Sequence, residues 1–195
     1  DKAFQVAEAK QPAWKAFPQA AKVRMYLLQG DVLSARQAAG DQLLEPISIP
    51  YARYTIFLSL ANIELAVAEG DHALALALAD DLLKEVFPLT RVDIPDVLRW
   101  KAKALRGLGR HEESLQVLSE ARSLAEGTGC RLHLWPILAD LAEVQAKLGR
   151  KQDAENNLEA GRNIASQVAE SLRELGLTET FLNQPRVRKL MQASV

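Results

Sequence analysis

A single cysteine, Cys130, rules out an internal disulfide framework and any cysteine-based zinc finger. Aromatic residues are scarce at 6%, and a large sandwich or barrel would want more aromatic and β-branched side chains. There is no excess of charge either. The 24 basic and 25 acidic residues leave a net of −1, so no whole-chain field draws the protein to nucleic acid or to an anionic membrane. A long apolar run is also missing. The richest stretch, Ile56 to Ala68, is interrupted by Glu64 and falls short of the about 20 apolar residues that span a bilayer. The first residues, Asp1-Lys2-Ala3-Phe4-Gln5, lack the basic segment and apolar core of a secretory leader. A start at Asp rather than Met suggests processing or excision. The expectation is a cytoplasmic chain with no membrane contact and no direct nucleic-acid binding.

What is abundant is Leu and Ala, 61 of 195 positions together. Both rank high in helix propensity. A chain of this length buries roughly 70% of its unfolded surface and makes one domain or two small ones at about 150 residues each. A single domain, 1–195, is expected.

The dominant signal is a repeat. Gly30-Asp31, Gly70-Asp71, Gly109-Arg110 and Gly149-Arg150 are spaced by 40, 39 and 40 residues. Five residues after each glycine stands a small side chain: Ala35, Ala75, Ser114, Ala154. Four residues before stand Tyr26, Ala66, Leu105 and Gln145, and nine after stand Ala39, Ala79, Leu118 and Leu158. Apolar residues at steps of three and four flank each glycine on both sides, as in Leu138, Leu141, Ala142 and Leu148, then Ala154, Leu158, Ile164 and Val168. Each unit therefore reads as two helices. The glycine ends the first, where a left-handed residue is wanted, and the small residue lets the second close tightly upon it. Pro46, Pro50, Pro88, Pro95 and Pro136 are read as marking linkers and starts of first helices.

The predicted fold class is all-α, a right-handed superhelix of stacked antiparallel helix pairs. The units are placed at about 17–46, 50–88, 94–128 and 131–174, with a C-terminal cap over 178–195. Within them the helices are expected at 17–29 with 31–44, 51–69 with 71–86, 95–108 with 110–127, and 132–148 with 150–174. Residues 1–9 read either as the tail of an upstream second helix or as an independent short helix. Phe181, Leu182, Val187 and Leu190 are suited to cover the last apolar face, since stacked repeats need a cap.

The pattern Gly-Asp-x-x-x-Ala resembles the tetratricopeptide repeat, and Gly109-Arg-His-Glu-Glu-Ser114 and Gly149-Arg-Lys-Gln-Asp-Ala154 match it best. That family repeats at about 34 residues; the longer period here implies longer helices or joints. Lys22-Val-Arg-Met-Tyr-Leu-Leu-Gln-Gly-Asp31 is similar to the long-period helical repeats of large bacterial regulators related to the maltose-regulon activator. Arg131-Leu-His-Leu-Trp-Pro-Ile-Leu138 and Phe181-Leu-Asn-Gln-Pro-Arg-Val-Arg-Lys-Leu190 are similar to the C-terminal ends of bacterial regulators carrying an ATPase or nucleotide-cyclase module. The resemblance implies a sensor or scaffold arm read out by other domains.

Catalytic and metal chemistry find little support. No phosphate-loop motif or nucleophile elbow occurs, and the histidines His72, His111 and His133 form no H-x-x-x-H pair. His72 and His111 follow turns and are expected in water; His133 has the better chance of lining a pocket. Asp80-Asp81 and Glu112-Glu113 point about 100° apart on a helix and do not converge. Trp100 and Trp135 are expected to pack between repeats. Arg186, Arg188 and Lys189 are able to touch phosphates, although the dipole of a C-terminal helix accounts for them as well.

The charged offset six residues before each glycine is the candidate site: Arg24, Glu64, Lys103 and Glu143. In tetratricopeptide repeats that offset faces the concave groove. Arg99 and Arg106 flank Lys103 at helical steps, so the third repeat offers a basic stripe suited to a carboxylate or phosphate. As solvated charges, Lys103 and Arg106 are expected to tolerate reversal with little change in stability. The expected function is a non-catalytic sensor or scaffold domain of a larger bacterial signal-transduction or transcription regulator, with no cofactor and no metal. It would bind a protein segment or small-molecule effector in the groove. The alternative is a free-standing adaptor that binds a partner protein's tail.

Overall fold

The computed structural model describes residues 16–40, 52–86 and 92–194. Every regular element among them is an α-helix. The chain divides into two compact units, Asp1–Thr90 and Arg91–Val195. The first holds α1 (Ala16–Gln29), α2 (Val32–Ala39), α3 (Ala52–Glu69) and α4 (His72–Val86). The second holds α5 (Ile94–Gly107), α6 (His111–Thr128), α7 (Arg131–Lys147) and α8 (Lys151–Ser171), followed by α9 (Thr178–Leu182) and α10 (Pro185–Gln192). Within each unit the first helix of a pair packs on the second, and also on the first helix of the next pair. Residues 1–9, Trp14, Pro46, Pro50, Pro88 and the 41–44 end of the second helix lie outside the described residues.

The glycine turns fold as their sequence suggests. Gly30, Gly70, Gly109 and Gly149 have φ between 75° and 82°, the left-handed region where a Cβ is costly. Each turn closes by one bond pattern. The residue after the glycine donates its N–H to the carbonyl five residues back: Asp31 to Tyr26, Asp71 to Ala66, Arg110 to Leu105 and Arg150 to Gln145, at 2.9–3.0 Å. Helix-end carbonyls that water would otherwise have to satisfy are thus bonded within the turn.

The small residue five places on is fully buried in all four turns. Ala35, Ala75, Ser114 and Ala154 are each 0% exposed. Ser114, the one polar member, donates its hydroxyl to the Ala102 carbonyl at 2.8 Å, which satisfies a group that burial would otherwise penalise. The next turn of the second helix is buried too, through Ala39, Ala79, Leu118 and Leu158. Helices of 18 and 15 residues in the second pair, and of 17 and 21 in the fourth, absorb most of the long period.

Pro136 departs from the expected proline placement. It sits inside α7 rather than at its start, because a further left-handed turn at Gly129 already closes α6 and starts α7 at Arg131. Its missing N–H deprives the carbonyl of Leu132, one turn earlier, and Leu132 is largely exposed to water. Pro95 and Pro185 do sit in the first turns of α5 and α10.

The expected cap forms. Phe181, Val187 and Leu190 join one buried cluster with Trp135, Ala142, Leu158 and Val168, and Leu182 packs against its edge. Phe181 meets Trp135 edge-on with ring centroids 6.0 Å apart. α10 packs on α8 at Gly161, where a Cβ would stand at ordinary contact distance, 3.4 Å from Leu138 and 3.5 Å from Leu190. His72 and His111, expected in water, are instead half-buried as the first residues of α4 and α6.

Candidate functional site

The six predicted site residues all lie on first helices and are engaged in ion pairs. In the first unit, α1 and α3 pack together and bring Arg24 to Glu64 at 2.6 Å. Glu64 is only 2% exposed. The Arg24 guanidinium also lies 5.1 Å above the Phe57 ring, which itself stacks against Phe17. A buried carboxylate therefore has its counter-charge supplied by the neighbouring repeat.

In the second unit, α5 and α7 are the corresponding first helices, and their charges form a network centred on a residue the sequence reading passed over. Asp140 on α7 is buried. It accepts from Arg99 Nε at 2.7 Å and from Lys103 Nζ at 2.8 Å, with Arg106 3.9 Å away. Arg99, buried as well, also faces Asp96 at 3.5 Å. Arg106 reaches Glu143 at 2.5 Å, and Lys189 of α10 reaches the same carboxylate at 2.6 Å. Arg99, Lys103, Arg106 and Glu143 are thus brought together as predicted, with Asp140 and Lys189 added.

The solvated character expected of this stripe needs correction. The side chains of Lys103 and Arg106 are 18% and 26% exposed and face a carboxylate that is 6% exposed. They do not belong to the screened, surface regime. The reason is Asp140, which draws them inward.

The titration behaviour follows from this burial. Burial pushes the Asp140 carboxyl up, but Lys103, Arg99 and Arg106 together outweigh it and hold the group well below the usual carboxylate range. Burial is also the main influence on Lys103. With Arg99 and Arg106 beside it, and against the pull of Asp140, it brings the ammonium down to about 8. Glu143 is raised by burial, yet its hydrogen bond from Lys189 and the nearby Arg106 leave it lowered.

Aromatic faces complete the site. Trp100 on α5 is 4% exposed. Arg99, Lys103 and Arg186 place their charged ends 5.0, 5.5 and 5.0 Å from its ring centre, a cation–π distance. Arg186 stands in the first turn of α10, where the helix dipole disfavours a cation. The indole face, not the dipole, accounts for its position. Between α5, α7 and α10 lies a cleft of about 120 Å³ whose charged lining, among the described residues, is Arg99, Lys103, Asp140, Glu143, Arg186 and Lys189.

Asp140 left a trace in the sequence. It stands nine residues before Gly149, an offset filled by Ala21, Ala61 and Trp100 in the other repeats. A carboxylate at a position otherwise apolar marks a buried charge in need of partners. Among the described residues no three His, Cys, Asp or Glu side chains gather as a metal ion would require. Cys130 and His133 are half-buried. No described helix is long and apolar enough to cross a membrane.

No family model matches the chain, and no curated protein matches it. Among solved structures, it is similar to the apo form of RapI. The TM-score is 0.68 over 98% of this chain and 73% of that one, at 18% sequence identity. That likeness concerns the fold, and together with the four glycine-closed helix pairs it shows a tetratricopeptide-like helical-repeat protein.

Proposed function

We propose that this chain is a non-catalytic binding and sensing domain that takes an acidic ligand on the charged faces of its first helices. The observation that carries this is the cleft between α5, α7 and α10. Among the described residues, four cations line it against two carboxylates. Cations held partly out of water at such a ratio favour an incoming anion. The side chains there are committed to holding one another in place, and none pairs a nucleophile with a base. The similarity of Lys22–Asp31 and of the C-terminal third to large regulators supports a role as the sensor arm of a larger cytoplasmic bacterial signal-transduction or transcription regulator.

Thermal shift against a panel of acidic peptides and anionic metabolites tests the reading. A ligand at 100 times its Kd should stabilise the chain by about 2.7 kcal/mol. The double substitution Arg186→Glu with Lys189→Glu should abolish that shift. A panel in which neutral and basic compounds stabilise as well as acidic ones would remove the proposal.

A further inference from the structure

The terminal helix α10 is held as a groove holds a peptide. At eight residues it falls short of the about 12–15 that stand as a helix in water alone, so its helical form depends on what it lies against. Two apolar side chains three apart, Val187 and Leu190, are 0% and 2% exposed and enter the cluster of Trp135, Leu158 and Val168. Each follows a cation with a partner of its own. Arg186 lies 5.0 Å from the centre of the Trp100 ring on α5, and Lys189 Nζ lies 2.6 Å from Glu143 on α7. Arg162 of α8 donates to the carbonyls of Leu190 and Ala193, where the helix ends. The groove thus offers an indole face, a carboxylate, an apolar floor and a donor for the last carbonyls. Together these read a pattern, cation–apolar–x–cation–apolar, rather than one sequence.

The groove is also longer than what fills it. At Ala193 the backbone becomes extended, and beside it an open trough of about 600 Å³ follows α7, walled by Ala142 and Ala146 with Leu158 of α8. That volume lies within the roughly 300–1,000 Å³ of a ligand site. Among the described residues, only Ala193 and Ser194 of the C-terminal segment border it.

We propose that α10 is the groove's built-in occupant and gives way to a partner protein's short amphipathic helix of the same pattern, followed by an apolar tail that fills the trough. This goes beyond the acidic-ligand reading, which concerns the cleft with α10 in place, and does not rest on it. A helix tethered to its own groove competes at an effective concentration on the order of millimolar, so a partner wins only through contacts that α10 does not make. The trough supplies them, because a tail laid there takes apolar surface out of water. The cation that answers Glu143 fixes the register, since a carboxylate brought to that place meets like charge.

Fluorescence anisotropy against the full chain tests this with three labelled peptides. The first copies residues 183–195, the second appends Ala-Leu-Ala-Leu to that copy, and the third is the second with glutamate in place of the lysine that matches Lys189. The appended peptide should bind at least tenfold more tightly than the plain copy. Ala146→Arg, at an exposed position on the trough wall, should remove that difference. Lys189→Glu in the chain, where the side chain is 75% exposed, loosens α10 and should raise the affinity of both lysine peptides tenfold or more. The glutamate peptide should bind tenfold more weakly than its lysine parent, and Glu143→Lys in the chain should restore it. Should Glu143→Lys fail to fold by circular dichroism, Lys189→Glu decides. Equal affinity for the parent and Lys189→Glu chains would overturn the proposal, and so would plain and appended peptides that bind alike. Three inert peptides beside an acidic ligand that stabilises the chain would end this inference and leave the acidic-ligand reading intact.

Discussion

The two units put charge at the same repeat offset and then use it differently. In the first, Glu64 is answered by Arg24 across one helix contact. In the second, Asp140 gathers Arg99 and Lys103, with Arg106 close by, and Glu143 extends the network to Lys189 in the terminal helix. The turns differ as well. Asp31 and Asp71 cap α2 and α4 by accepting from Ser34 and Leu74 N–H at 3.0 Å. Arg110 and Arg150 begin α6 and α8 without a side-chain cap; Arg110 instead grips Glu113, and Arg150 reaches Glu112. Both units pair charges across repeats, Arg24 with Glu64 in the first and Arg99 with Asp140 in the second, but the second gathers several cations around one carboxylate.

The largest expected effect comes from breaking the network at its centre. Asp140→Ala leaves buried cations uncompensated and should cost about 3–5 kcal/mol in urea unfolding. Glu64→Ala should cost less, about 1.5–2 kcal/mol, because Arg24 is partly exposed and can regain water. The reverse order would undo the comparison.

Packing comes next and should not distinguish the units. Ala75→Leu and Ala154→Leu each force three extra heavy atoms into a closed helix contact and should cost about 1–3 kcal/mol. A midpoint unchanged in either would show that the small residue is not what lets the pair close.

A third prediction concerns acid. The carboxyl of Asp140 is held below its ordinary value of 3.8, so the stability it contributes is complete above that pH and is lost as pH falls through the lowered value. Asp140→Asn should therefore be less stable than the parent at pH 6, with the gap narrowing below pH 4. A gap that stays constant with pH would show that the aspartate acts by shape alone.

The smallest effect separates the turns. Asp71→Ala removes a helix cap and should cost about 1 kcal/mol, whereas Arg110→Ala breaks an exposed ion pair with Glu113, worth about 0–1 kcal/mol. Thermal midpoints of the two variants measure the difference directly.

The helix pairs were legible because their determinants are local. A glycine in the left-handed region and a small residue five places on are both written into six consecutive positions. Pro136 was misplaced because a helix start is fixed by the preceding turn, here at Gly129, and not by the proline. The charged site was legible only in part. A shared offset picked out Lys103 and Glu143, but a side chain's depth depends on what faces it. Asp140 meets Arg99 and Lys103, and Lys189 meets Glu143, 37 to 46 residues away along the chain. No repeat offset announces Lys189, since α10 lies beyond the last glycine.

The network also bears on how such a chain can be cut or copied. Four self-contained turns make a 40-residue cassette that duplication can insert or delete with little disturbance elsewhere. Asp140 removes that freedom from one stretch. Once it binds α5 to α7, and Glu143 binds α7 to α10, the segment from Ile94 to Gln192 becomes indivisible. A transplant of the fourth pair alone leaves Asp140 without Arg99 and Lys103, and a truncation before Pro185 takes Lys189 from Glu143.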